Sequence, residues 1–151
     1  MTKRTFYICV LALSTILMVL SGCASSSSGT STSSLKAGPG VDVTHKTITL
    51  GILSPYSGPV ADPIGKPLAK GVEVYFDSIN ASGGIDGYKV KFLEEDTQYN
   101  PQLEVQLYNQ IHTKVAMIAD SLGTPTTFAI KDLATADHML IWCHAVLFSG
   151  T

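Results

Sequence analysis

Between Thr47 and Trp142 four short β-rich runs alternate with three helical periodicities, and few architectures accept that order. TITLGIL (47–53) is apolar and ends in a turn cluster, SPYSGP. Leu68, Val72, Tyr75, Phe76 and Ile79 then recur at three- and four-residue steps, which predicts an amphipathic helix. That helix should stop in NASGG, where Gly83 or Gly84 takes the left-handed position past the last turn. Tyr88, Val90 and Phe92 alternate with Lys89 and Lys91, the pattern of a strand near a sheet edge. Asn100-Pro101 reads as an N-cap followed by proline at the first helical position, with Leu103, Leu107 and Ile111 as the buried stripe. VAMIA (115–119) is continuous and apolar, as a central parallel strand covered on both faces would be. Thr124-Pro125 repeats the cap-plus-proline signal and opens a helix carrying Phe128, Ile130 and Leu133; MLIW (139–142) is a fourth strand. The order βαβαβαβ implies an α/β fold, a parallel doubly wound sheet with right-handed crossovers and helices on both faces.

In such a sheet ligands bind outside the carboxyl ends of the strands. SPYSGP, DSLGTPTT and CHAVLFSGT fall there. The middle one sits at a helix start, where unpaired N–H groups and the positive end of the dipole suit a carboxylate or phosphate. A well-capped helix with no ligand would read the same way.

Catalytic arrangements are thin. None of His45, His112, His138 and His144 has the helical spacing to a carboxylate that zinc-protease helices show, and there is no CxxC pair. Cys143 and His144 are neighbours in a strand, so their side chains point to opposite faces and do not share a proton. GGIDG follows a helix instead of opening one and is not a phosphate cradle, so no cofactor is expected. Glu94, Glu95 and Asp96 read as a solvated loop at a strand end, with one carboxylate free to cap a neighbouring turn. With 10 basic and 12 acidic residues neither sign dominates, which argues against nucleic acid or an anionic membrane surface as the main partner. The residues expected of this chain are those of a binding module, not of an enzyme.

The N-terminus has a separate logic. Lys3 and Arg4 precede an apolar run, Thr5 to Leu20, and small residues lead to Cys23, the order of a secretory signal. The run is slightly short for a membrane span of roughly 20 residues, although an uncleaved helix remains the competing reading. LSGC (20–23) resembles the lipobox of bacterial lipoproteins. That resemblance implies a signal peptide over 1–22, and Cys23 as a diacylated first residue of the mature protein, anchored by its acyl chains. Residues 23–42 would then be the lipidated cysteine and a flexible Ser/Thr/Gly tether. Cys143 would be the one thiol left in the mature chain, with no disulfide framework.

Three stretches, ITLGILSPYSGPVA, GVEVYFDSINASGGIDGYKVKFLEEDTQYNP and VAMIADSLGTPTTFAI, together resemble the N-terminal part of type I periplasmic binding proteins, in the Leu/Ile/Val-binding branch that serves ABC importers. INASGGIDG is the most specific segment. The resemblance implies a partial N-terminal lobe over 43–151 of a two-lobed protein that closes on a small ligand, commonly an amino acid or another small carboxylate. It places the ligand against Ser54, Tyr56 and Ser57 after the first strand. Gly123, Thr124 and Thr126 would hold the carboxylate, and His144, Ala145 and Val146 would receive the ammonium group and more of the carboxylate. Its partners would be an ABC permease and, through the lipid anchor, the outer face of the cell membrane. GTPTT stands where amino-acid binders often carry a serine-rich stretch, so the ligand stays open. Family members are much longer, which makes a fragment or a truncated gene product the expectation. Weak ligand binding and an uncovered apolar edge at Leu140, Trp142 and Phe148 then follow. A ligand-sensing receptor module is the alternative, against which LSGC counts.

Overall fold

The structure, a computed structural model, describes residues 37–144. Its elements are β1 (Val41–Asp42), β2 (Thr47–Ser54), a π-helical turn (Ala61–Gly65), α1 (Lys66–Ala81), β3 (Lys89–Asp96), α2 (Pro101–Ile111), β4 (Ile118–Leu122), α3 (Thr124–Ala136) and β5 (Ile141–His144). β2 is the central strand, parallel to β3 along its whole length on one side and parallel to β4 on the other, with β5 parallel beyond β4. The short β1 adds antiparallel to the start of β2, a strand the sequence pattern did not reveal. Everything after β1 follows the expected doubly wound order.

The two faces bury different sets. Leu50, Val90 and Ala119 pack beneath Val72 and Phe76 of α1. On the opposite face Leu53 and Ile118 meet Leu107, Tyr108 and Ile111 of α2 and Ile130 and Ala134 of α3. The chain therefore changes faces after β3, and the reversal falls between β2 and β4. That is the topological switch point of an open sheet, with a crevice at its carboxyl edge.

INASGGIDG works as a clamp. Gly83 (φ 114°) and Gly84 (φ 87°) donate to the carbonyls of Asn80 and Ile79, closing α1 in a Schellman motif. Asp86 (φ 50°) and Gly87 (φ 82°) are the central pair of a two-residue turn, closed by mutual bonds between Ile85 and Tyr88. Asn80 then reaches across: its Oδ1 accepts from the Val90 N–H at 2.8 Å and its Nδ2 donates to the Val90 carbonyl at 2.9 Å. These are the outward-facing backbone groups of the edge strand.

Several boundaries differ from the sequence reading. The third strand runs 118–122, not 115–119, because the polar Asp120 and Ser121 find buried partners and extend the ladder past the apolar run. Residues 116–117 already bond to β2, through Ala116 N–H to Thr49 O and Gly51 N–H to Met117 O. The fourth strand is 141–144, not 139–142; Met139 instead closes the end of α3 by donating to Ala134 O. Glu94 to Asp96 lie within β3, not in a loop. Asn100 caps α2 as expected, its Oδ1 accepting from Gln102 and Leu103. Gly123, not Thr124, is the cap of α3, with φ 112°. The buried stripe of α3 is Thr126, Ile130 and Ala134, which leaves Phe128 and Leu133 outward. Leu140 and Trp142 are exposed, as expected of an uncovered apolar edge, whereas Phe148 lies outside the described residues.

Replacing Asn80 by Ala leaves two backbone groups of buried Val90 unpaired, and it should cost about 1–3 kcal/mol. Urea unfolding of wild type and Asn80→Ala, compared at equal m-value, measures this.

Candidate functional site

The register of the sheet brings its polar residues to one level. Ser54 lies opposite Asp96, Leu53 opposite Ser121, and Leu122 opposite His144. The switch-point crevice is therefore rimmed by the loop after β2, the end of β3, the β4–α3 turn and the end of β5.

Asp96 organises the first rim. Its Oδ1 accepts from the N–H groups of Tyr56 (2.8 Å), Ser57 (3.2 Å) and Gln98 (3.0 Å). Burial works against its charge, but the bonds from Ser57, Gln98 and Tyr56 outweigh it and hold the carboxyl below the usual range. One carboxylate of the acidic run thus caps the neighbouring turn, as the sequence allowed. Tyr56 donates its hydroxyl to Glu94 Oε2 at 2.6 Å; burial, and then Glu94, push its ionisation far upward, so it stays a neutral donor. Ser54 is fully buried and its hydroxyl donates to Gly65 O, which ties β2 to the π-helical turn.

Gly123 and Thr124 form the second rim. A Cβ at Gly123 would collide with the Tyr99 ring and with Thr126 Oγ1, so glycine is required there by space as well as by φ. Thr124 is the first residue of α3; Pro125 after it has no N–H, and the Gly123 N–H is directed at the His144 carbonyl at 3.4 Å. Thr126 is buried, its hydroxyl donating toward Leu122 O (2.7 Å) and Gly123 O (3.0 Å). That hydroxyl braces the turn from within; a ligand would meet the backbone of the turn. His144 closes the rim, with Nδ1 2.7 Å from Asp120 Oδ1. Ala145, Val146 and Cys23 lie outside the described residues.

Two buried acids beneath this rim escaped the sequence reading. Asp120 is fully buried; burial raises its pKa, while the His144 hydrogen bond and charge and the Ser54 hydroxyl oppose that rise. Glu104 is fully buried as well, with Oε1 2.7 Å from Ser121 Oγ. Burial, against hydrogen bonding by Ser121 and Thr126 and with repulsion from Asp120 added, lifts the Glu104 carboxyl to about 7. Oε2 of Glu104 and Oδ2 of Asp120 have no hydrogen-bond partner among the described residues. The helical spacing held the signal: Glu104, Tyr108 and Ile111 share the buried stripe of α2, so Glu104 stands where an apolar residue would.

On the α1 face, a groove of about 370 Å³ runs along β4 and β5 between Val72, Tyr75, Phe76, Met117 and Trp142, with His144 at its polar end.

Glu104 makes stability depend on pH. Its folded-state value is raised from 4.5 to about 7, so the folded chain keeps a proton that the unfolded chain releases. The resulting stability is fully present below pH 4.5 and is lost as pH rises through 7. Relative to Glu104→Gln, wild type should lose up to about 3 kcal/mol between pH 4.5 and pH 8. Paired urea melts across that range give the difference directly, since the other titrating groups are common to both.

Comparison with known proteins fits this architecture. The family model described as periplasmic binding protein matches residues 47–151. The Leu/Ile/Val-binding protein homolog 3 of Brucella melitensis is 41% identical over 98 residues, 64% of this chain and 26% of that protein. A fatty acid ABC transporter substrate-binding protein from Thermomonospora curvata superposes with a TM-score of 0.69 at 34% identity, over 73% of this chain and 28% of its own. A branched-chain amino acid transporter substrate-binding protein from Streptococcus pneumoniae, solved with isoleucine, gives 0.62 at 25% identity, over 69% and 30%. The chain thus spans between a quarter and a third of the length of these relatives. With the parallel sheet, its switch point and the matched region in agreement, the chain belongs to the periplasmic binding protein family.

Proposed function

We propose that the chain is part of the extracytoplasmic solute-binding component of an ABC importer, and that it captures a small carboxylate-bearing ligand without chemistry. The observation that supports this is the rim itself. Ser57 on a loop pinned by Asp96, the glycine-capped start of α3 and the His144 imidazole all fall at the carboxyl edge of the sheet, beside the switch point. Backbone N–H groups at a helix start bind an anion without burying an unpaired side-chain charge. The ligands named for two relatives, isoleucine and a fatty acid, share a carboxylate joined to an aliphatic chain, and the carboxylate is the group this rim suits.

In this reading residues 1–22 are the signal peptide, Cys23 is the lipid-bearing first residue, 23–42 tether the domain, and 43–151 form a partial first lobe. Delivery to a permease completes the role. Carboxylate recognition falls to the backbone of Gly123, Thr124 and Thr126, with Tyr56 and Ser57 on the facing wall and His144, Ala145 and Val146 the third; Ser54, buried and bonded to Gly65 O, lies behind that wall instead of lining it.

A single lobe buries only part of a ligand, so affinity for this chain should be on the order of millimolar. In a ¹⁵N NMR titration with L-isoleucine and, separately, octanoate, the amides of Ser57, Gly123 and Thr124 should shift together for at least one of the two. Shifts confined to other regions, or none with either ligand at tens of millimolar, would contradict the assignment. Metabolic labelling with an alkyne fatty acid should mark the wild-type chain in a bacterial host and leave Cys23→Ser unmarked; equal labelling of both would refute the anchor.

A further inference from the structure

We infer that Glu104 is a positioning residue for the β4–α3 turn, carried as the neutral acid at the head of a hydrogen-bond chain that runs through Ser121 to Thr127. The inference deepens the carboxylate-binding reading of that turn and rests on it for its functional meaning.

The geometry comes first. Ser121 Oγ lies 2.7 Å from Glu104 Oε1 and 2.8 Å from Thr127 Oγ1, and Thr127 Oγ1 lies 3.2 Å from Ser121 O. Three side chains on α2, β4 and α3 are thereby joined in one line, directly under the turn capped by Gly123. Counting protons gives the polarity. In the neutral acid, Glu104 donates to Ser121, Ser121 donates to Thr127, and Thr127 donates to the Ser121 carbonyl, so every hydroxyl hydrogen is used once. A proton on Oε2 would have no acceptor, which places it on Oε1. In the ionised form, Ser121 and Thr127 both turn to donate toward Glu104. The charge then rests on Ser121 and the neighbouring Thr126 hydroxyl, with Oε2 left without a hydrogen-bond partner among the described residues, an expensive state for a fully buried carboxylate.

The surroundings favour the neutral form. From β4, Asp120 acts on Glu104 by charge and repels a second carboxylate; it is itself paired to His144 of β5. From α3 the uncharged hydroxyl of Thr126 acts on it, directed to the Leu122 and Gly123 carbonyls. Burial lifts the carboxyl to about 7, so the switch falls within the neutral pH range. Ionising Glu104 puts a negative charge beneath the start of α3, where it neutralises the positive helix end and repels an incoming anion. The neutral acid leaves that end available. Carboxylate capture at this turn would therefore draw a proton onto Glu104, and affinity would fall as pH rises through the transition.

The test needs no ligand, so it stands apart from the ligand assignment. The full 151-residue chain, ¹³C/¹⁵N-labelled in a mild detergent, is titrated from pH 4 to pH 9. The Glu104 carboxyl carbon should titrate near pH 7, and the amides of Ser121, Gly123 and Thr127 should follow with the same midpoint. In Glu104→Gln, whose amide donates to Ser121 at every pH, those three amides should hold their low-pH positions throughout. A carboxyl that titrates near 4 to 5, or turn amides that ignore the Glu104 midpoint, would overturn the proposal. Should the variant not fold, the wild-type titration alone decides between these results.

Discussion

The parallel ladder of β2 fixes where everything polar in this domain can sit. Because β2 pairs with β3 on one side and β4 on the other, its register determines that Ser54, Asp96, Asp120 and Ser121 reach the carboxyl edge at one level. A one-residue slip would turn Leu50 and Leu53 to the wrong faces and separate the hydrophobic clusters that hold α1 on one side and α2 and α3 on the other. The apolar cores on the two faces thus set the register, and the register assembles the rim. Loops that would otherwise be mobile are then pinned by single side chains, Asp96 for residues 56–57 and Asn80 for the hairpin before β3.

Below that edge the packing logic changes from apolar to polar. Glu104 and Asp120 are both fully buried, and each leaves an oxygen without a hydrogen-bond partner among the described residues. Burying them costs stability that apolar residues of similar size would not. Their position between the core and the crevice gives the cost a purpose: the Ser121–Thr127 line braces the α3 start from below, and Asp120 holds the His144 ring at the rim. The proposed site therefore has two layers. The backbone and His144 face outward, and a layer of buried acids and hydroxyls fixes their geometry.

Much of this was legible in the residues. Alternating periodicities gave the element order, proline with Asn100 gave the start of α2, and the paired glycines of NASGG gave the end of α1, because each signal is local. Strand ends were less legible, since VAMIA marks where β4 enters the core, whereas its polar continuation depends on partners contributed by α2 and β5. The same holds for α3, whose buried stripe at Thr126, Ile130 and Ala134 includes a threonine that pairs with backbone carbonyls. Glu104 and Asp120 were missed for the same reason: a charged residue reads as solvent-facing until the fold supplies what surrounds it. The family resemblance pointed to the loops after β2 and β4 and to His144. It did not anticipate that the hydroxyls of Ser54 and Thr126 turn inward, to Gly65 O and to Leu122 and Gly123 O.

The central claim is that the switch-point edge, organised by the β2 register, is an anion-binding surface. A crystal structure of the chain grown with L-isoleucine in large excess tests it most directly. The account predicts the carboxylate at the start of α3, against the backbone of Thr124 and Thr126, with the His144 ring alongside. Density for the ligand in the apolar groove between Tyr75 and Trp142, with the α3 start unengaged, would contradict it.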